Sequence, residues 1–277
     1  MISSTGYPKV SIVTTSLNQA RFLEQTIRSV LEQKYPNLEY IIIDGGSTDG
    51  SIDIIKKYEK RIHFWLSEKD SGQAHAINKG LRMISGDIWS FLGSDDTYEP
   101  QALQKIVNAF QKNPAAAVIY GNCNFIDEDG LVTRVKKPGP YIRKKMLRSN
   151  YLCQPATFVT IAKLHQYGFL DETLRFSMDY EYWLRFDKRE SFVYIDESIA
   201  NYRLHSSSKT MGSTLKMIKE MVSVKKKYGA GFRADWRYWN FFVWGQYYYR
   251  AKRIYFGWLA KKTAAFLKKR NESQYPD

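Results

Sequence analysis

The residues best suited to chemistry are two adjacent acids, Asp95 and Asp96, in Gly93-Ser94-Asp95-Asp96, directly after the apolar run 87–92 (DIWSFL). Neighbouring carboxylates repel, so such a pair calls for a cation or a ligand hydroxyl. Oxygen ligands of this kind suit a hard divalent ion. A lone Ser-Asp-Asp is common by chance; its place straight after a buried run gives it weight. Three more polar clusters follow apolar runs in the same way, at 15–18, 44–49 and 68–72. Taken singly, each also fits an ordinary turn, because Asp, Asn, Ser and Gly favour turns. Four in succession ask for a common purpose.

The elements that must position these clusters alternate. Residues 10–15 form a β-branched run, and Phe22, Leu23, Ile27, Val30 and Leu31 recur at helical spacing. Residues 39–44 (EYIIID) make a second strand, followed by a helix around Ile52, Ile55 and Tyr58. Strands are expected at 62–66, 87–92 and 116–120, and helices at 73–83 and 102–110. Continuous apolar strands alternating with helices predict a parallel sheet covered on both faces. Ligands then bind at the carboxyl ends of the strands, where all four polar clusters fall. Further on, 124–135 reads as a hairpin around Asp129-Gly130, and 177–185 as a helix. Residues 191–203 read as two short strands, and 215–228 as a helix.

The chain has 277 residues, 44% of them hydrophobic, which suits one catalytic domain with an appendage. Cys123 and Cys153 are the two cysteines, without a CxxC or a histidine at ligand spacing. This argues against a zinc site or a disulfide scaffold and for free thiols in a reducing cytoplasm. The short polar start is not a signal peptide, and no run reaches the roughly 18 apolar residues of a spanning helix. The net charge of +14 admits nucleic acid, an anionic membrane or phosphorylated substrates. Nucleic acid is set aside, because the basic excess of the tail lies among aromatics and on no docking motif.

The chain resembles the family 2 glycosyltransferases, bacterial nucleotide-sugar-dependent inverting enzymes of the GT-A fold. The matching stretches are VSIVTTSLNQARFLEQTIRSVLEQKYPNLEYIIIDGGSTDGS at 10–51, SEKDSGQAHAINKGLRMISGDIWSFLGSDD at 67–96 and QPATFV at 154–159. LDETLRFSMDYEYWLRF at 170–186 and ANYRLHSSSKT at 200–210 complete it. The resemblance covers about the first 210 residues, in five motifs in the expected order. It implies an α/β GT-A domain, Rossmann-like and mostly parallel, over 1–210. Residues 1–120 would be the nucleotide-sugar half and 121–210 the acceptor half, with a helical extension over 211–277.

The resemblance also implies roles. Thr15 and Asn18 would line the nucleotide pocket, and Asp44 would bond the base, uracil first among candidates. Asp70, Ser71 and Gly72 would close over the base, with Asn78 and Lys79 near the diphosphate. Asp95 would touch the ribose or the metal. Asp96 would bind Mn²⁺ or Mg²⁺ directly, the first acid of a full DxD being Ser94 here. His205 would reach the metal or the diphosphate. Asp179 would be the acceptor-activating base, with Glu181 as its rival, and Gln154 would touch the acceptor. Each has a plainer alternative. Asp179 suits a helix cap, Gln154 a strand cap, His205 a satisfied loop histidine, and Asn78-Lys79 a solvated helix face. With one base and no carboxylate placed as nucleophile, a single displacement with inversion is expected. The rival functions are a silent nucleotide-sugar-binding module and a nucleotidyltransferase. The second lacks its usual Gly-rich phosphate loop, since 15–18 is Thr-Ser-Leu-Asn.

Residues 236–271 contain no acid and mix Trp, Tyr and Phe with Lys and Arg. Such a mixture suits an anionic membrane interface, bringing the site to a lipid-linked or surface-glycan acceptor on the inner face. The alternative is a helical hairpin packed on the catalytic domain.

Overall fold

The computed structural model describes residues 6–186, 189–205 and 214–229. The tail at 236–271 lies outside the described residues. Nine strands form one sheet in the order β3-β2-β1-β4-β8-β6-β9-β5, with β7 paired to β6. β1 (Val10–Ser16), β2 (Leu38–Asp44), β3 (Phe64–Ser67) and β4 (Ile88–Gly93) are mutually parallel. β1 is buried along its whole length, as a strand covered on both faces must be. Helix α1 (Ala20–Leu31) lays Phe22, Leu23, Ile27, Val30 and Leu31 against the sheet. α2 (Ser51–Lys57), α3 (Gln73–Leu81) and, after the two-residue β5 (Thr97–Tyr98), α4 (Ala102–Lys112) complete this half.

The second half departs from a simple parallel continuation. β6 (Val118–Ile126) does not pair with β4. β8 (Thr157–Thr160) lies between them, antiparallel to both. The chain turns at 127–131 into β7 (Val132–Lys136), passes α5 (Arg143–Arg148), and only then supplies the strand that sits beside β4. The hairpin stands where expected: Asp127 accepts bonds from the backbone N–H groups of Asp129 and Leu131. α6 (Ile161–Tyr167) and α7 (Met178–Phe186) follow. Residues 191–203 are not two short strands but one, β9 (Phe192–Arg203), parallel to β6 and antiparallel to β5. Its middle, Asp196-Glu197, resembles a turn but is exposed strand.

α8 (Thr214–Lys227) belongs to the compact unit that holds the sheet and runs to Gly229. Lys227 and Tyr228 both bond the buried carboxylate of Glu181 on α7. Among the described residues no helix is long and apolar enough to cross a membrane.

Candidate active site

The carboxyl ends of β1 and β4 open into a cleft of about 350 Å³. Thr15, Ser16, Asp70, Ser71, Gly72, Gly93, Ser94 and Asp95 line it, with Glu172 and Arg175 from the loop before α7. A second hollow of about 400 Å³, between α1 and β5, contains none of the strand-end acids.

The acid loop is held from three sides. The Thr26 hydroxyl of α1 lies 2.9 and 2.7 Å from the carbonyl oxygens of Ser94 and Asp96. The buried guanidinium of Arg203, at the end of β9, donates to the Asp95 carbonyl, to the Asp127 and Glu128 carbonyls and to Gln25, and lies over the Phe22 ring. The Arg203 backbone N–H donates to Asp96 Oδ1 at 2.9 Å. His205 places Nε2 2.9 Å from Asp95 Oδ2 and packs on Phe22.

Asp95 is on the cleft wall, while Asp96 is buried behind it at 5% exposure. Their free oxygens nevertheless converge. Asp95 Oδ1 and Asp96 Oδ2 lie 2.8 and 3.2 Å from the point a Cβ on Gly93 would occupy, so this position admits only glycine without a shift. Burial, and then repulsion from Asp95, push the Asp96 carboxyl well above the usual carboxylate range; the Arg203 N–H pulls the other way. An acid pair with one member buried and an oxygen of each left without a donor among the described residues suits a hard divalent cation. Among the described residues no three His, Cys, Asp or Glu side chains gather as a complete metal site. The two carboxylates could supply part of the oxygen ligands of such an ion, the remainder coming from outside the chain.

Asp179 sits in the first turn of α7, half-buried, with Oδ2 accepting a 2.8 Å bond from Asn150. Burial raises its carboxyl above the ordinary range, against the bonds from the Tyr180 N–H and Asn150. Asp179 lies inside α7, one residue past its start at Met178, and does not occupy the cap position. The Cys123 thiol donates to the Asn124 carbonyl at 3.7 Å. Both cysteines are free and buried.

Several expected site residues are committed elsewhere. Asp44 is fully buried, and its oxygens are saturated by the Ser47 hydroxyl, the N–H groups of Gly46 and Ser47, and the Ser67 hydroxyl. It builds the loop rather than facing the cleft. Asn18, at φ 52°, receives the Thr48 N–H on its side chain and does not line the cleft. Asn78 spends its amide on Leu170 and Glu172, tying α3 to the 170 loop. Lys79 pairs with Glu68 at 2.6 Å. Glu181 is buried among Arg185, Lys227 and Tyr228, whose bonds outweigh burial and lower its carboxyl; it clasps α7 to α8. Gln154 donates its amide to the Phe91 carbonyl of β4. Two residues escaped the sequence reading. Ser16 lines the cleft with its hydroxyl buried and unpartnered, and the signal was its place at the very end of a buried strand. Arg175 has no such signal.

The model of the family described as glycosyl transferase family 2 matches residues 11–165, more than half of the chain. The chain belongs to this family. Among its relatives, a glycosyltransferase of Bacillus subtilis (strain 168), named TuaG for teichuronic acid biosynthesis, is 32% identical over 73% of this chain and 81% of its own length. An uncharacterized glycosyltransferase of Rickettsia typhi is 29% identical over 79% of this chain and 71% of its own. Among solved structures, S. aureus TarS 1–349 in complex with UDP-GlcNAc aligns with a TM-score of 0.63 at 15% identity, covering 78% of this chain. The Pyrobaculum calidifontis mannosyltransferase PcManGT, with GDP-Man and Mn²⁺, aligns with a TM-score of 0.61 at 17% identity, covering 82%. The chain spans 65% and 66% of those two chains, and 31% of a further relative from Rickettsia bellii. The fold is GT-A, and the chain is a glycosyltransferase.

Proposed function

We propose that this glycosyltransferase moves one sugar from a nucleoside diphosphate, uridine diphosphate first among candidates, onto a hydroxyl of a lipid-linked or growing surface glycan. The reading rests chiefly on the Asp95–Asp96 pair, whose oxygens converge at the cleft without enough donors to satisfy them. Mn²⁺ or Mg²⁺ held by these two carboxylates would offset the charge on the departing diphosphate. Asp95, fixed by His205, orients the donor, and Ser16 offers it a buried hydroxyl.

Asp179 takes the proton from the acceptor hydroxyl. The acceptor oxygen then bonds to the anomeric carbon, the bond from that carbon to the phosphate oxygen breaks, and the nucleoside diphosphate leaves with inverted configuration at carbon. A carboxyl raised by burial suits a base working near neutral pH. The nucleotide sugars bound by TarS and PcManGT, the Mn²⁺ of PcManGT and the pathway named for TuaG are in keeping with this reading.

Thermal shift with a panel of nucleotide sugars, with Mn²⁺ or with chelator, tests it. A donor should stabilise the protein only with metal, and its product should carry the inverted linkage. A product of retained configuration would reject the mechanism. We place the reaction on the cytoplasmic side, with 236–270 touching anionic membrane. A chain truncated after Gly231 should lose binding to anionic vesicles in flotation, and unchanged binding would reject that contact.

A further inference from the structure

The cleft wall carries three carboxylates, Asp70, Asp95 and Glu172, and one cation, Arg175. The carboxylates are engaged: Asp70 accepts the Gly72 N–H, Asp95 faces His205, and Glu172 receives Asn78 and lies 3.7 Å from Arg82. The Arg175 guanidinium has no hydrogen bond or ion pair among the described residues, although acids share its cleft. It lies beside Gly72, 3.7 Å from the point a Cβ there would take. An exposed arginine that ignores nearby carboxylates is a donor fork held ready for another anion.

Its backbone is held from a distance. Glu220 of α8 accepts the N–H of Arg175 on Oε2 at 2.8 Å, and those of Phe176 and Ser177 on Oε1 at 2.7 and 2.6 Å. Three successive N–H groups thus converge on one carboxylate just before α7 begins at Met178. α8 grips α7 a second time through Glu181, Lys227 and Tyr228. The segment bearing Arg175 and Asp179 is thereby clamped at both ends by carboxylates.

We propose that Arg175 binds the donor's diphosphate, and that Glu220 is the positioning residue that holds it over the cleft. The proposal rests on the nucleotide-sugar reading above. A diphosphate entering a cleft walled by three carboxylates needs positive charge beyond what an ion at Asp95 and Asp96 supplies. The planar guanidinium offers paired bonds to phosphate oxygens.

Calorimetric titration of the full chain with Mn²⁺ and with UDP, GDP, uridine and guanosine tests both halves. Arg175→Ala should weaken the preferred nucleoside diphosphate about 10- to 100-fold and leave the matching nucleoside unchanged. Arg175→Lys should recover part of the loss. In steady state the donor KM should rise more than kcat falls. Glu220→Gln should move the diphosphate affinity in the same direction by a smaller factor. Should Arg175→Ala bind the diphosphate as tightly as wild type, Arg175 is a surface arginine and the proposal fails. An equal loss for nucleoside and diphosphate in Glu220→Gln would overturn the positioning role. A wild-type chain that binds neither diphosphate would sink the donor reading itself, and this proposal with it.

Discussion

At the amino-terminal edge of the parallel strands, Glu39 is buried and saturated. The hydroxyls of Ser11 and Ser85, the Ser85 N–H and the Lys9 ammonium all approach its two oxygens. Burial pushes this carboxyl up, but those bonds outweigh it and bring it down to about 2. At the opposite edge Asp96 is nearly as buried, yet it receives one backbone N–H, faces Asp95, and is held well above the ordinary range. The two acids share a sheet and differ in the donors around them. An edge that only joins strands supplies every donor from its own chain. An edge that leaves acids short of donors is shaped to receive charge from outside.

Substitutions at the two edges, and at the proposed base on α7, should therefore separate activity from stability. The largest effect is expected for Asp179→Asn: transfer should fall about 10³-fold in a product assay, while nucleotide binding by calorimetry persists. Next, Asp96→Asn should abolish the metal-dependent thermal shift with nucleotide sugar and lower kcat about 10²-fold. Without ligand, its melting temperature should hold or rise, since a buried repulsion is relieved. Glu39→Gln should do the reverse, with about 2 kcal/mol of stability lost in urea unfolding and donor affinity unchanged. The sign with pH follows from a folded value of about 2 against an ordinary 4.5. The Glu39 contribution is complete above about pH 4.5 and is lost as pH falls towards 2. Acid unfolding of Glu39→Gln should lack that component. The smallest effect is a shift in profile. Asn150→Ala removes a bond to the Asp179 carboxylate, so the acid limb of kcat against pH should move up by about half a unit.

The parallel half was legible because its signals are local. Buried runs of β-branched residues and the helical spacing of Phe22, Leu23, Ile27 and Val30 need no distant partner to be read. The acid pair was legible for the same reason, as a polar break straight after an apolar strand. The second half was not. β8 enters the sheet between β4 and β6, a placement set by chain return and not by any periodicity in TFVT. β9 is one strand because β6 runs beside it along both halves, which hides a turn-like Asp196-Glu197. Resemblance located Asp44 and Asn78 well enough, but not their bonding. Whether an acid faces a cleft or its own loop depends on where neighbouring N–H groups fall. Arg175 was invisible, because its support arrives 45 residues later in Glu220.

Arg203 has a consequence for how this enzyme can be divided. The stretch that looks like a self-contained nucleotide fold ends well before it, and the family match stops at residue 165. Yet the side chain and backbone of Arg203 reach back to Asp95, Asp96 and Gln25. A fragment cut at the apparent midpoint would keep both acids and lose the brace that sets their spacing. The donor half is therefore no detachable cassette: recombining it between relatives demands that the terminal strand travel with it.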